Sequence, residues 1–555
     1  MADVLRKQAR EHLWAWLRPN VPALLVTLLL MLLQSLTALV QPWLGGVLTD
    51  RLLLSQHLGT LLWLLFLLIC AQQGLGYVIG MQMQKASGRL VANASAEIYA
   101  HLQSLPLAWH QEHRRGDVLA LMTGDVYRLS GYITGILLPL IPLLFTLAGA
   151  LVMMFRLAPV IALAMAVLMP LLIIVLKLVG RRLRPLAQAS AQAWADQSAV
   201  AAQNLELLPV IKASAAEYME AANLRGKANA AYAIDLRLAR MQGAISPVVY
   251  VIGASTVLLL LGLAGGRILH DGMRLGEMVS LFLYGTMLVS PIGRLAQVYG
   301  STLAARGSVQ RLLDALSTDP EVDTGSIGVL PRDGEIRYQS IDFAYPGRPT
   351  LFQCFDLRIS AGETVALTGS NGAGKSTLVH MLMRLVEPQA GKITIGGIDI
   401  REFRLAALRG QIALVAQNTM LFNATIAENI GYGNTDAQQA DIERAARSAR
   451  AHDFIESLPD GYDTVIGDQG VRLSGGQKQR ISLARALLMD PAIFILDEAT
   501  AMFDPRGEAE FVAECRDLLM DHTVLLVTHR PASLALADRV LRLEDGQLHE
   551  VLVTS

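Results

Sequence analysis

Six separate stretches of roughly 20 apolar residues constrain this chain more than any other feature, because a helix of that length matches the hydrocarbon core of a bilayer. They fall at residues 21–40, 61–81, 133–155, 158–179, 244–265 and 278–298. In lipid each backbone polar group needs a partner from its own segment, so these stretches are read as transmembrane helices. The composition agrees: 53% of the residues are hydrophobic, only 17% are charged, and the mean hydropathy is +0.40. That is too apolar for an ordinary soluble protein of 555 residues.

The connections between spans are unequal. Spans one and two are joined by a short segment with Asp50 and Arg51, three and four by a turn around Arg156, and five and six by residues 267–276. Residues 83–130 and 181–242 are long, polar and helical in pattern, and must leave the membrane. They carry Lys85, Arg89, Arg114, Arg115 and Arg128, and Arg181, Arg182, Arg184, Lys212, Arg225, Lys227, Arg237 and Arg240. The positive-inside rule therefore puts both excursions and both termini in the cytoplasm. Residues 1–20 interleave Arg6, Lys7, Arg10 and Arg18 with Leu5, Leu13, Trp14 and Leu17, the pattern of an amphipathic helix on the membrane surface rather than a cleaved signal. No peptidase-like segment precedes the first span, so leader-peptide processing is not expected.

Mid-membrane carboxylates are missing from the spans, and Lys177 and Arg294 sit near cytoplasmic ends, where snorkelling accounts for them. An ion-coupled carrier would need such carboxylates, so the energy must enter elsewhere. The net charge of −1 gives no electrostatic case for nucleic acid. Cys70, Cys354 and Cys515 are far apart, form no metal or disulfide pattern, and read as small buried hydrophobes.

Composition changes after Ser317. Residues 316–333 read as a linker between a transmembrane domain (1–315) and a nucleotide-binding domain (334–555). In the latter, β-type runs at 364–367, 412–416, 492–496 and 524–527 alternate with helical segments, which implies an α/β domain with a parallel sheet. Gly369, Ser370, Asn371, Gly372, Ala373, Gly374, Lys375 and Ser376 fit GxxxxGK[ST] between a strand run and a helical run that starts with Thr377. Such a loop turns backbone N–H groups inward around phosphates; Lys375 would reach the β- and γ-phosphates and Ser376 would ligate Mg²⁺. An apolar run ends in Asp497 and Glu498, placing Asp497 to hold Mg²⁺ and Glu498 to orient or deprotonate the attacking water. Between the two, Ser474, Gly475, Gly476 and Gln477 open a helix about 100 residues after the Gly369–Ser376 loop, a second phosphate-binding device. One chain rarely wraps both devices around the same phosphate.

With the P-loop, Gln417, Leu473–Gln477, Asp497 and His529 in that order, the chain resembles the ATP-binding cassette (ABC) transporters. The resemblance implies that two cassettes pair head to tail, with each ATP held between one P-loop and the partner's Ser474 segment. It implies that Tyr345 stacks on adenine, that Gln417 contacts Mg²⁺ and the transmembrane helices, that His529 meets the γ-phosphate, and that Asp504 closes the loop after the carboxylate pair. Residues 464–470, including Asp468, are similar to a coupling loop of exporter-type cassettes. Residues 116–125 and 207–214 sit where such exporters carry coupling helices. The family's usual Ser-Ala-Leu-Asp is replaced by Ala501, Met502, Phe503 and Asp504, which alters cross-talk between sites rather than ATP binding.

The expectation is a homodimeric ATP-driven exporter of an apolar or amphipathic substrate (lipid, drug or peptide-like) in the cell membrane. A siderophore importer on the same fold is the alternative, and siderophore uptake dependent on Lys375 and Glu498 would discriminate it. A non-transporting ABC ATPase acting on nucleic acid is disfavoured by the spans, and a channel regulator by the complete hydrolytic set. Gln34, Gln41, Gln72, Gln73 and Tyr284 are the isolated polar groups a substrate could meet.

Overall fold

The computed structural model describes residues 14–551 except 55–57, 272, 435, 468–469, 500–507, 509–511, 514–515, 517 and 521; some side chains in the helices over 164–303 also lie outside the described set. The chain forms two compact units: Met1–Gln103 with Arg114–Thr318, and Ser104–His113 with Asp319–Ser555.

The first unit is helical. Its elements are α1 (Val21–Leu53), α2 (Gly59–Ser104), α4 (Arg115–Leu157, with π-helical turns at Leu121–Asp125 and Ile133–Leu137), α5 (Pro159–Glu206), α6 (Leu208–Ala213), α7 (Glu217–Asp271) and α8 (Leu275–Leu316). Helix α3 (Leu107–Glu112) belongs to the second unit. The spans run on into the excursions as single helices, which carry through internal prolines such as Pro42, Pro142, Pro247 and Pro291. Asp50 and Arg51 therefore lie in α1, not in a connecting segment, and the turn after α4 falls at Ala158 (φ −150°), with Pro159 starting α5. The most apolar windows of Trp14–Leu53, Gly59–Ser104 and Arg115–Leu157 have mean hydropathies of 2.4, 1.8 and 2.4, yet only 11%, 6% and 11% of them is buried. Surface so apolar and so exposed requires a hydrocarbon solvent.

Where α1, α4, α5 and α8 meet, Leu39, Ala150, Met154, Ile161, Leu281 and Leu288 form a core. Tyr284 is fully buried there and donates to Leu39 O at 2.8 Å, so it packs helices and does not face a substrate. Gln41 Nε2 donates to Gln72 Oε1 at 2.5 Å, and Gln34 Nε2 to Gln72 O at 3.3 Å; these amides satisfy one another between α1 and α2. Near the far end of α1, a Cβ on Gly276 would lie 2.2 Å from Gly46 O, and Gly276 N donates to Asp50 Oδ1 at 2.8 Å. The carboxylate thereby serves an otherwise unpaired N–H in the first turn of α8. Asp125, fully buried in a π-turn of α4, accepts from Ser308 Oγ at 2.8 Å and from Arg311 Nε and Nη2 of α8 at 2.8 and 2.6 Å. Cys70 and Cys354 are exposed, which corrects their reading as buried hydrophobes; Cys515 lies outside the described residues.

The second unit holds twelve strands among the described residues: β1 (Ile336–Ala344), β2 (Thr350–Ile359), β3 (Thr364–Thr368), β4 (Ala390–Ile395), β5 (Ile398–Asp399), β6 (Ile412–Val415), β7 (Ala424–Thr425), β8 (Val465–Ile466), β9 (Ile493–Asp497), β10 (Thr523–Val527), β11 (Arg539–Glu544) and β12 (Gln547–Val551). The core sheet has the order β12-β11-β3-β10-β9-β6, parallel apart from the edge strand β12. Strands β3, β9 and β10 read as unbroken apolar runs because both faces of the sheet are covered. An antiparallel sheet, β2-β1-β4-β5, packs Phe352, Phe355 and Tyr338 against the same core. Helix α9 (Lys375–Leu382) follows β3, and α10 (Gly475–Leu488) precedes β9. In the first excursion it is α3, between turns at 105–106 and 113–114, that groups with this unit. Residues 116–125, expected as a coupling helix, are helical and run within α4 of the first unit. Residues 207–214 contain α6.

Candidate active site

Sheet order builds the site. Strand β10 lies between β3 and β9, and the register sets Val527 beside both Leu367 and Asp497. The segments that follow leave the sheet together at its carboxyl edge, where parallel α/β sheets hold ligands. Gly369 follows β3 at φ +142°, and a Cβ there would sit 2.3 Å from Leu543 O. Gly374 caps α9 at φ +106°, and a Cβ there would sit 2.5 Å from Phe352 Cζ. No side chain fits at either position, so this loop needs its glycines.

Lys375 is buried and donates from Nζ to Gly369 O at 2.7 Å and Ser370 O at 3.0 Å. Desolvation lowers its pKa, while the nearby Glu498 and Asp497 charges oppose that shift. Desolvation raises the pKa of Asp497, as does Glu498; His380, Ser376 and Lys375 pull it back. Ser376 Oγ lies 3.5 Å from Asp497 Oδ2. Glu498 adopts φ +47°, a conformation sparse for a non-glycine residue, and its N–H donates to Val527 O at 2.8 Å. Its side chain accepts from Gln417 Nε2 at 2.5 Å and stands 3.8 Å from His529 Nε2. Tyr345 and Thr377 share a hydroxyl hydrogen bond of 3.1 Å, and the Tyr345 ring meets Phe343 edge-on.

Tyr345, Asn371, Gly372, Gly374–Thr377, Gln417, Asp497 and Glu498 line one cavity of about 1390 Å³. Ser474, Gly475, Gly476 and Gln477 do not line it. They form a capping box, with Gln477 N donating to Ser474 Oγ at 3.2 Å and Ser474 N to Gln477 Oε1 at 2.8 Å. Asp504, with Ala501–Phe503, and Asp468 lie outside the described residues. Motif reading missed three contributors: Arg348, 5.9 Å over the Tyr345 ring; His380, whose charge acts on Asp497; and α3, which lines the cavity through Ala108, Gln111 and Glu112. His380 is one helical turn beyond the P-loop Ser376, which spacing could have flagged. Nothing local marks the other two.

A phosphate-binding loop, paired carboxylates at a strand end and an apolar helical unit together define an ATP-driven membrane transporter. The family described as "ABC transporter" matches residues 352–501, and its "transmembrane region" matches residues 24–292; the chain belongs to the ABC transporter family. It is 32% identical over 98% of its length to the ATP-dependent lipid A-core flippase of Chromobacterium violaceum, covering 95% of that protein. It is 33% identical over 93% of its length to the flippase of the same description from Nitrosococcus oceani, covering 86% of that protein. A solved structure, a bacterial Atm1-family ABC exporter with ATP bound, shares the fold at a TM-score of 0.81 and 24% identity, covering 96% of this chain and 95% of that one.

Proposed function

We propose that the chain is a homodimeric half-transporter that moves a lipid or other amphipathic molecule outward across the cell membrane, with its nucleotide-binding domain in the cytoplasm. Residues 1–315 would form the transmembrane domain, 316–333 the linker and 334–555 the ATPase domain. The substrate class rests on the lipid A-core flippases it resembles over nearly its whole length, and on spans that offer apolar surface without clustered charge. The importer alternative has no comparable support.

The observation that carries the mechanism is the convergence of Lys375, Ser376, Gln417, Asp497 and Glu498 on one cavity that Ser474–Gln477 do not reach. Phosphate oxygens are better acceptors for Lys375 Nζ than the two loop carbonyls it now serves. N–H groups from Gly369 to Thr377 cradle the phosphates, and Tyr345 provides the face for the base. The donors near the carboxylates fit Mg²⁺: Ser376 Oγ and Asp497 Oδ2 are hard oxygens 3.5 Å apart, and Gln417 adds a third. Bound there, Mg²⁺ would neutralise charge on the β- and γ-phosphates. Glu498, held by its strained backbone and by Gln417, orients the attacking water, and His529 faces the γ-phosphate. Ser474, Gly475, Gly476 and Gln477 of a second copy complete the site.

The test is reconstitution in vesicles containing fluorescent lipid A-type glycolipid, phospholipid or iron-loaded siderophore, assayed with MgATP. Outward glycolipid or phospholipid movement that requires Lys375 and Glu498 supports the reading. Inward siderophore movement with the same requirement overturns it.

A further inference from the structure

The phosphate-gripping helix ends on a knot of charged groups that the hydrolytic reading leaves unused. Helix α9 begins at Lys375 and stops at Leu382, followed by Met383 and Arg384. Arg384 is buried at φ +51°, sends Nη2 to Val322 O at 2.9 Å and Nη1 to Phe403 O at 3.4 Å. Arg409 donates from Nε to Met383 O at 3.1 Å and from Nη2 to Arg384 O at 2.9 Å. A cation is favoured there, since carbonyls without helical partners and the negative end of the helix dipole gather at a helix C-terminus. The same guanidinium holds Glu321 in a two-pronged ion pair, Nη1 to Oε2 at 2.7 Å and Nη2 to Oε1 at 3.1 Å. Glu321 N in turn donates to Ser104 O at 2.7 Å.

Each end of this knot is covalently continuous with a long helix. Ser104 is the last residue of α2, and Glu321 lies five residues beyond the end of α8. Arg384 and Glu321 also line the same cavity as the P-loop residues. Over its 8 residues α9 is a rod of about 12 Å, stiff enough to carry a shift from one end to the other.

We infer that the Arg409–Glu321 pair is a positioning strut that relays nucleotide occupancy from the P-loop helix to α2 and α8. Phosphates that draw Lys375 and the start of α9 inward also displace its C-terminal carbonyls. Arg409 follows those carbonyls, and its fork moves Glu321 and Ser104 as one body. An ion pair suits the task because two parallel N–H···O bonds fix orientation as well as distance. Half-buried on both sides, it is screened less than a surface pair.

The experiment is hydrogen–deuterium exchange on the full chain in nanodiscs, with and without a non-hydrolysable ATP analogue. In the wild type the analogue alters exchange in residues 102–113 and 317–323. Arg409→Met and Glu321→Gln bind the analogue within about two-fold of wild type yet lose most of that distant response, and the double variant loses no more than the worse single. Arg409→Lys retains part of it. Glu321→Gln preserves shape and decides the matter if Arg409→Met does not fold. An unaltered response in Glu321→Gln, additive losses in the double variant, or a response lost only in step with analogue affinity would overturn the strut.

Discussion

Gln417 Nε2 donates to Glu498 Oε2 at 2.5 Å, joining the segment after β6 to the end of β9 across 81 residues. The contact holds one carboxylate oxygen and leaves the other facing His529 at 3.8 Å.

Glu498→Gln should keep ATP binding and reduce turnover by about 10²–10⁴-fold, because a neutral amide neither orients nor deprotonates the water as the carboxylate does. ATPase assays beside nucleotide-binding titrations of purified protein check this. Turnover near the wild-type rate would remove Glu498 from the mechanism.

The raised pKa of Asp497 gives a pH prediction with a definite sign. Above 3.8 and up to its native value, the folded protein holds a proton that the unfolded chain has released. Stability from this group is fully present below 3.8 and is lost as pH rises through the native pKa. Without nucleotide or Mg²⁺, wild type should thus lose stability relative to Asp497→Asn as pH rises through that window. Melting curves of both proteins at several pH values measure the difference; a constant difference would show that Asp497 is an ordinary carboxylate.

Sites shared between copies should complement. Lys375→Ala and Ser474→Arg should each abolish ATPase activity alone. Mixed dimers contain one doubly damaged site and one intact site, so co-expression should restore activity. Persistent inactivity in verified mixed dimers would mean that each chain builds its whole site alone.

The Gln41–Gln72 pair should behave as packing rather than as substrate recognition. Changing either glutamine to Leu strands the other amide in an apolar setting, costing about 0.6–1.7 kcal/mol, while the double change recovers much of that loss. Thermal stability in nanodiscs gives the cycle. A double variant with altered substrate choice but normal stability would return these amides to the transport path.

Gly276→Ala should destabilise more than Asp50→Asn, since its Cβ would meet the Gly46 carbonyl at 2.2 Å and backbone cannot step aside. The measurement is the melting temperature of each variant. Equal stability of Gly276→Ala and wild type would show that α1 and α8 can separate there without cost.

The sequence by itself determined the chemistry and the class. Hydrophobic length set the apolar helical unit, and Gly369–Ser376, Asp497–Glu498 and Ser474–Gln477 declared themselves by residue type and spacing, which are properties of a few consecutive residues. It did not reveal that α3 rather than residues 116–125 groups with the ATPase unit, because helical periodicity runs through both. Nor could it separate polar groups free for a substrate from those already paired, as Tyr284 with Leu39 and Gln41 with Gln72 are. Only the tertiary structure decided these points, and it alone brought Gln417 to Glu498 and Arg409 to Glu321. Such pairings depend on strand order and on where chain segments turn back, and no local pattern encodes the distance between two residues 81 or 88 positions apart.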